Sequence, residues 1–220
     1  MKKRLIAMLV MFVLGISTLG CRMPFADNKK CDAVEAMLNE MLTACKEGDY
    51  DKALTYFANK EDRKKLGTQK ELTAIKRQFK KEQGASALMY IEKYANVCKT
   101  FVENEKVEVV YVNRDNRAVV HFYRIDETAF LDVLNSEMEN AMQHAVVSNS
   151  DATYYLLMDC LQKAEKEINP KDKGVRVVPV NLKEVDGKMK IDELNEELQN
   201  VLPDYGLGFE KMMIDEISKR

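Results

Sequence analysis

His121 is the residue best placed for chemistry, standing mid-strand in Arg117–Ile125 between Val119 and Tyr123 on one face. An imidazole titrates near neutral pH and passes a proton in either direction. Together with Tyr123, and with Tyr154 and Met158 from a later helical stretch, it forms the candidate pocket, in which the thioether would supply an adaptable apolar wall. No Asp or Glu falls at a same-face position beside it to orient the ring, so a structural histidine is the simpler reading. His144 reads as a solvated helix position, and Glu103, Glu105 and Glu108 as a wet sheet face rather than a cation site. No nucleophile elbow, H-E-x-x-H, Walker or dinucleotide pattern occurs, and neither a cofactor nor a metal is expected. The expectation is a non-enzyme, with a hydrolase or isomerase using His121 as the alternative.

Thiols are the second source of chemistry. Besides Cys21 there are Cys31, Cys45, Cys98 and Cys160. Cys31 and Cys45 share one predicted helix, and fourteen residues at about 1.5 Å each hold them roughly 21 Å apart, so they cannot bond to each other. Either one of them pairs with Cys98 or Cys160, or all four are buried reduced thiols. The absence of C-x-x-C spacing argues against a tetrathiolate metal site.

Cys21 belongs to a different pattern. Lys2, Lys3 and Arg4 precede an uncharged apolar run from Leu5 to Ile16, and the segment closes on Gly20-Cys21. That is the layout of a secretory signal peptide, residues 1–21. The cysteine directly after a small residue resembles the lipobox of bacterial lipoproteins, with Thr18 where leucine is usual. The resemblance implies a diacylglyceryl group on Cys21, which becomes the mature N-terminus and attaches the protein to the bilayer on the extracytoplasmic side of the cell membrane. Residues 22–30 then read as a short tether, and 31–220 as a single α+β domain.

Basic and acidic residues number 34 and 36, for a net charge of −2, which becomes −5 without the leader's three basic residues. The two signs are interspersed, and no basic stripe or nucleic-acid motif is present, so nucleic acid is excluded as a partner. Lys76-Arg77 and Lys80-Lys81 could meet anionic headgroups, but flanking glutamates dilute them.

The elements that must position these groups follow from periodicity. Val34, Met37, Leu38, Met41, Leu42 and Cys45 recur at three- and four-residue steps, which predicts a helix. Gly48-Asp49 ends it and caps a second helix over 50–57. The charge-rich stretch 61–81 reads as one partly exposed helix, and 87–97 as another. Val107, Val109 and Tyr111 alternate with polar or outward residues, Asn113–Asn116 turns the chain, and Arg117–Ile125 returns as the second arm of a hairpin. Residues 127–168 are two antiparallel helices inserted between strands, their apolar stripes facing each other and the sheet. Val175–Leu182 opens a final hairpin, in which Asp186-Gly187 demands a type I′ turn and sets Val185 opposite Lys188 and Leu182 opposite Ile191. Val180, Leu182, Met189 and Ile191 then share the buried face, and Lys183, Lys188 and Lys190 the wet one. Asp192 caps a short helix over 193–201, and Phe209, Met212, Met213 and Ile217 mark a last amphipathic one.

Gly48-Asp49-Tyr50 with Ala53, and Asp186-Gly187-Lys188-Met189-Lys190-Ile191, resemble two segments of exported lipoproteins with the nuclear transport factor 2-like (cystatin-like) fold, methionine replacing the usual tryptophan. The resemblance implies N-terminal helices packed on a curved antiparallel sheet, a cone wrapped around the first helix. It implies no activity. The functional expectation is a membrane-anchored, non-enzymatic binding or scaffolding module of the cell envelope. Its partner would be an envelope protein or small ligand, and a purely structural spacer is a further alternative.

Overall fold

The computed structural model describes residues 27–103, 106–144 and 150–219. Helix α1, Asn28–Lys46, buries every residue of the predicted stripe, together with Cys31 and Ala44. Each such aliphatic side chain contributes about 1.5–3 kcal/mol by leaving water. The helix begins inside the stretch expected to be tether, because the Asp27 carboxylate accepts the Lys30 N–H and caps it.

Helix α2, Tyr50–Leu54, is capped by Asp49 and stops short of the expected Phe57. Phe57 is instead fully buried and bridges in parallel to Ile191: Ile191 N–H donates to Tyr56 O, and Ala58 N–H to Ile191 O, both at 2.8 Å. The single helix expected over 61–81 is two, α3 Lys60–Leu66 and α4 Gln69–Gln83. Thr68 and Glu71 form a reciprocal capping box that restarts the chain after Gly67. Helix α5 runs Ala85–Thr100, longer at both ends than expected.

Four strands follow: β1 Val107–Val112, β2 Arg117–Ile125, β3 Lys173–Val185 and β4 Lys188–Ile191. They form an antiparallel open sheet in the order β1-β2-β3-β4. With the helices this is an α+β fold. The long β3 serves two neighbours, pairing β2 through Lys173–Asn181 and β4 through Leu182–Val185. Asp186 and Gly187 take φ of 52° and 74°, as a type I′ turn requires, and the closing register is the one the sequence dictates.

The simple alternation expected along β1 does not hold. A bulge between Val109 and Tyr111 leaves Val110 as the extra residue, and Val112, not Tyr111, returns to the core face. Val107, Val109 and Val112, with Ala118, Val120 and Phe122, then join Val178, Val180, Leu182 and Ile191 in one core cluster beneath α1.

The insertion between β2 and β3 forms as expected, α6 Thr128–His144 and α7 Ser150–Glu165. Its chief partner, however, is α5 rather than the sheet, whose core face α1 already occupies. Phe130 meets Phe101 edge-on at 5.3 Å between centroids. Helix α8, Glu196–Gln199, is capped by Asn195 rather than Asp192, and a 3-10 turn, Leu202–Tyr205, leads to α9, Phe209–Ser218. On α9, Phe209 and Ile214 are buried while Met212 faces solvent, contrary to the stripe expected there. Among the described residues no helix is long and apolar enough to cross a membrane.

Candidate docking surface

The sheet has a second face, opposite α1. The strand register lines up Tyr111, Val119 and Pro179 in one row, Glu108, His121 and Val177 in the next, and Tyr123 with Val175 in a third. Tyr111, Val119, Tyr123, Val175 and Val177 neither belong to the hydrophobic core cluster nor pack against it. An antiparallel sheet with one wet face alternates apolar with polar residues. Here the outward positions of β2 and β3 are mostly valine, tyrosine and proline, the composition of strands covered on both sides. Val175 and Val177 are nonetheless 45% and 52% exposed.

His121 sits at the centre of this face and is itself 5% exposed. Its Nδ1 has no hydrogen-bond partner among the described residues. Burial lowers its pKa below the ordinary histidine value, with the Glu108 carboxylate pulling the other way. Glu108 is the acid that strand-internal spacing missed: it lies across from His121 on β1, and pairing the hairpin through its bulge would have found it. Its carboxylate accepts the Tyr123 hydroxyl at 2.6 Å, which pushes the phenol up to about 12. Tyr123 also meets the His121 ring edge-on at 6.3 Å.

The four residues of the candidate pocket do not come together. His121 and Tyr123 are on the second sheet face, whereas Tyr154 and Met158 pack against the core from α7, where Tyr154 meets Tyr90 at 6.3 Å. The reason is the docking of α7 on α5, away from the sheet. Cys21 and Glu105 lie outside the described residues, as does the side chain of His144. Cys45, Cys98 and Cys160 are buried free thiols, and Cys31 is fully buried. Burial pushes Cys45 and Cys98 up to about 12, far from the thiolate that reacts or binds metal. Among the described residues no three or more His, Cys, Asp or Glu side chains converge to hold a metal ion. Lys76 is held by Glu92 and Glu210 at 2.7 and 3.0 Å, so the basic run on α4 is partly neutralised.

One buried ionic cluster was not anticipated. Arg124 continues the core-face series Ala118, Val120, Phe122, and a charge at that position demands a partner. Its guanidinium donates to Asp204 at 2.6 Å and to Glu127, and stacks 5.5 Å from the Phe101 ring. Arg176, opposite Phe122, also reaches Glu127. Two arginines and two carboxylates thus fasten the Leu202–Tyr205 turn and the start of α6 to the end of the sheet. Desolvation nevertheless pushes Asp204 up to about 6.

No family model matches this chain, and no curated protein matches it. Among solved structures it is similar to ycdA, a proposed lipoprotein of Bacillus subtilis, with a TM-score of 0.36 and 16% identity. The match covers 66% of this chain and 46% of that one, so this chain spans less than half of that protein's length. The α+β fold therefore stands on the geometry described above.

Proposed function

We propose that this chain is a lipid-anchored, extracytoplasmic module of a bacterial cell envelope that works by binding a protein partner and not by catalysis. The observation that carries the reading is the second sheet face. Its rows of Tyr111, Val119, Tyr123, Val175 and Val177 are composed for burial, while Val175 and Val177 stand open. Contiguous exposed apolar surface of this kind marks interaction sites. The anchor rests on Lys2–Cys21, where a basic cluster, an apolar run and Gly20-Cys21 support export and a diacylglyceryl group on the cysteine. Gly48-Asp49-Tyr50 with Ala53, and Asp186–Ile191, support placing the domain among the nuclear transport factor 2-like folds.

The test is capture of detergent-extracted envelope proteins by the full chain, run beside Val175→Lys/Val177→Lys. Both positions are exposed, so the double variant keeps its melting temperature. The reading requires a protein retained by the wild type and lost by the variant. Equal retention by the two, or none by either, overturns the assignment of this face. In parallel, the wild type partitions with membranes and Cys21→Ser does not; a wild type found in the supernatant removes the anchor.

A further inference from the structure

We infer that the groove between α1 and the free edge of β4 takes an extended acidic peptide as an added strand. This surface is separate from the docking face and does not depend on it. In a two-residue hairpin the closing pair, Val185 and Lys188, exchanges both backbone bonds, so at the next pair, Glu184 and Met189, the N–H and C=O groups point away from each other. Met189 therefore aims both groups outward from the sheet. The next outward residue on β4, Ile191, has its two groups taken by Tyr56 O and Ala58 N. There the natural extra strand ends: Tyr56 N–H turns back to Ala53 O at 3.2 Å instead of continuing to Met189. The opposite edge of the sheet is closed differently, by the Glu35 carboxylate on the Val109 N–H at 3.1 Å.

Beside Met189 lies a groove of about 670 Å³, walled on the other side by Ala33, Ala36 and Met37 of α1. That size is typical of ligand sites. From Ala33 to Glu40 the helix advances about 10 Å, room for roughly three residues of extended chain. The groove is thus a sheet edge with backbone groups on offer and an apolar wall beyond, the arrangement by which sheets accept an added strand.

Charge selects the occupant. Met189 and Ile191 face the core side, and Lys188 and Lys190 alternate to the other, with Lys183 directly across from Lys190. None of the three lysines has an ion pair among the described residues. Glu40, at the far end of the groove, is engaged by the Tyr56 hydroxyl at 3.0 Å. An added strand alternating apolar residues toward Ala33 and Ala36 with carboxylates beside the lysines satisfies both faces.

The experiment is fluorescence polarisation of the full chain with a labelled peptide alternating valine and glutamate. Two comparison peptides are used, one with alternate backbone nitrogens methylated and one with lysine for glutamate. Saturable binding is expected, weakened roughly tenfold or more by N-methylation and by Lys188→Glu/Lys190→Glu, the latter variant preferring the lysine peptide. Hydrogen exchange at the Met189 amide slows on binding. Equal binding of the methylated peptide, indifference to the charge reversal, or no saturable binding of the acidic peptide overturns the inference. Lys188 and Lys190 lie at or near the surface, so an unchanged melting temperature verifies that the double variant is folded.

Discussion

Replacing Asp204 with asparagine should change how stability depends on pH, and in a direction that exposes which force governs the buried cluster. Asp204 is 8% exposed and accepts from Arg124 at 2.6 Å, with Arg176 at 3.7 Å. Desolvation nonetheless raises its pKa from 3.8 to about 6. The folded protein therefore holds this proton more tightly than the unfolded chain does. The stability it contributes is complete below about pH 4 and is lost as pH rises through about 6. A gap of about two pKa units at 1.36 kcal/mol each amounts to about 3 kcal/mol. Asparagine cannot titrate, so the unfolding free energy of Asp204→Asn, less that of the wild type, should climb by about 3 kcal/mol between pH 4 and pH 7 and then level off. Urea denaturation at pH 4, 5, 6, 7 and 8 measures it. A difference that falls over this range would mean that the guanidiniums outweigh desolvation and depress the pKa. A flat one would mean that Asp204 titrates alike folded and unfolded. Either refutes the reasoning.

Two further outcomes follow from packing. Gly206 and Gly48 have φ of 84° and 77°, so alanine at either carries the left-handed penalty of about 1–2 kcal/mol. At Gly48 the new methyl meets nothing within 4 Å, whereas at Gly206 it would lie 2.6 Å from Lys99 Cε and 2.7 Å from the buried Tyr50 hydroxyl. Gly206→Ala should therefore cost about 1–3 kcal/mol more than Gly48→Ala in chemical denaturation, and equal costs would contradict the packing. Cys45, Cys98 and Cys160 should stay silent to a thiol reagent at pH 8 in the native protein and all react once unfolded; any of the three reactive in the native state would contradict their burial.

The helices were legible wherever an apolar stripe met a turn signal, as in α1, and the Asp186-Gly187 hairpin could be registered residue by residue. What escaped had physical causes. The β1 bulge inserts a residue without changing the apolar character of Val109, Val110 and Tyr111, so no pattern announces it. The break at Gly67-Thr68 was hidden by charge that suits one long helix as well as two. The insertion's stripe was visible but its partner was not, because periodicity says that a face is buried and never against what. At the site, His121 and Tyr123 were found from strand parity, while Glu108 needed cross-strand register. Arg124 could have been found as a charge at core period, and its partner Asp204, eighty residues away, could not.

The measurement closest to the central claim is maleimide labelling in intact cells of Val177→Cys and Met212→Cys, each in the full-length chain. In the isolated chain the two positions are equally open, 52% and 50% exposed, one on the second sheet face and the other on α9. Among the described residues the native cysteines are buried, so the background from them is low. A partner seated on the sheet face predicts that a membrane-impermeant reagent labels Met212→Cys and spares Val177→Cys, with the difference vanishing in purified protein. Equal labelling of both in cells would contradict a docked sheet face, and labelling of neither would contradict an extracytoplasmic module.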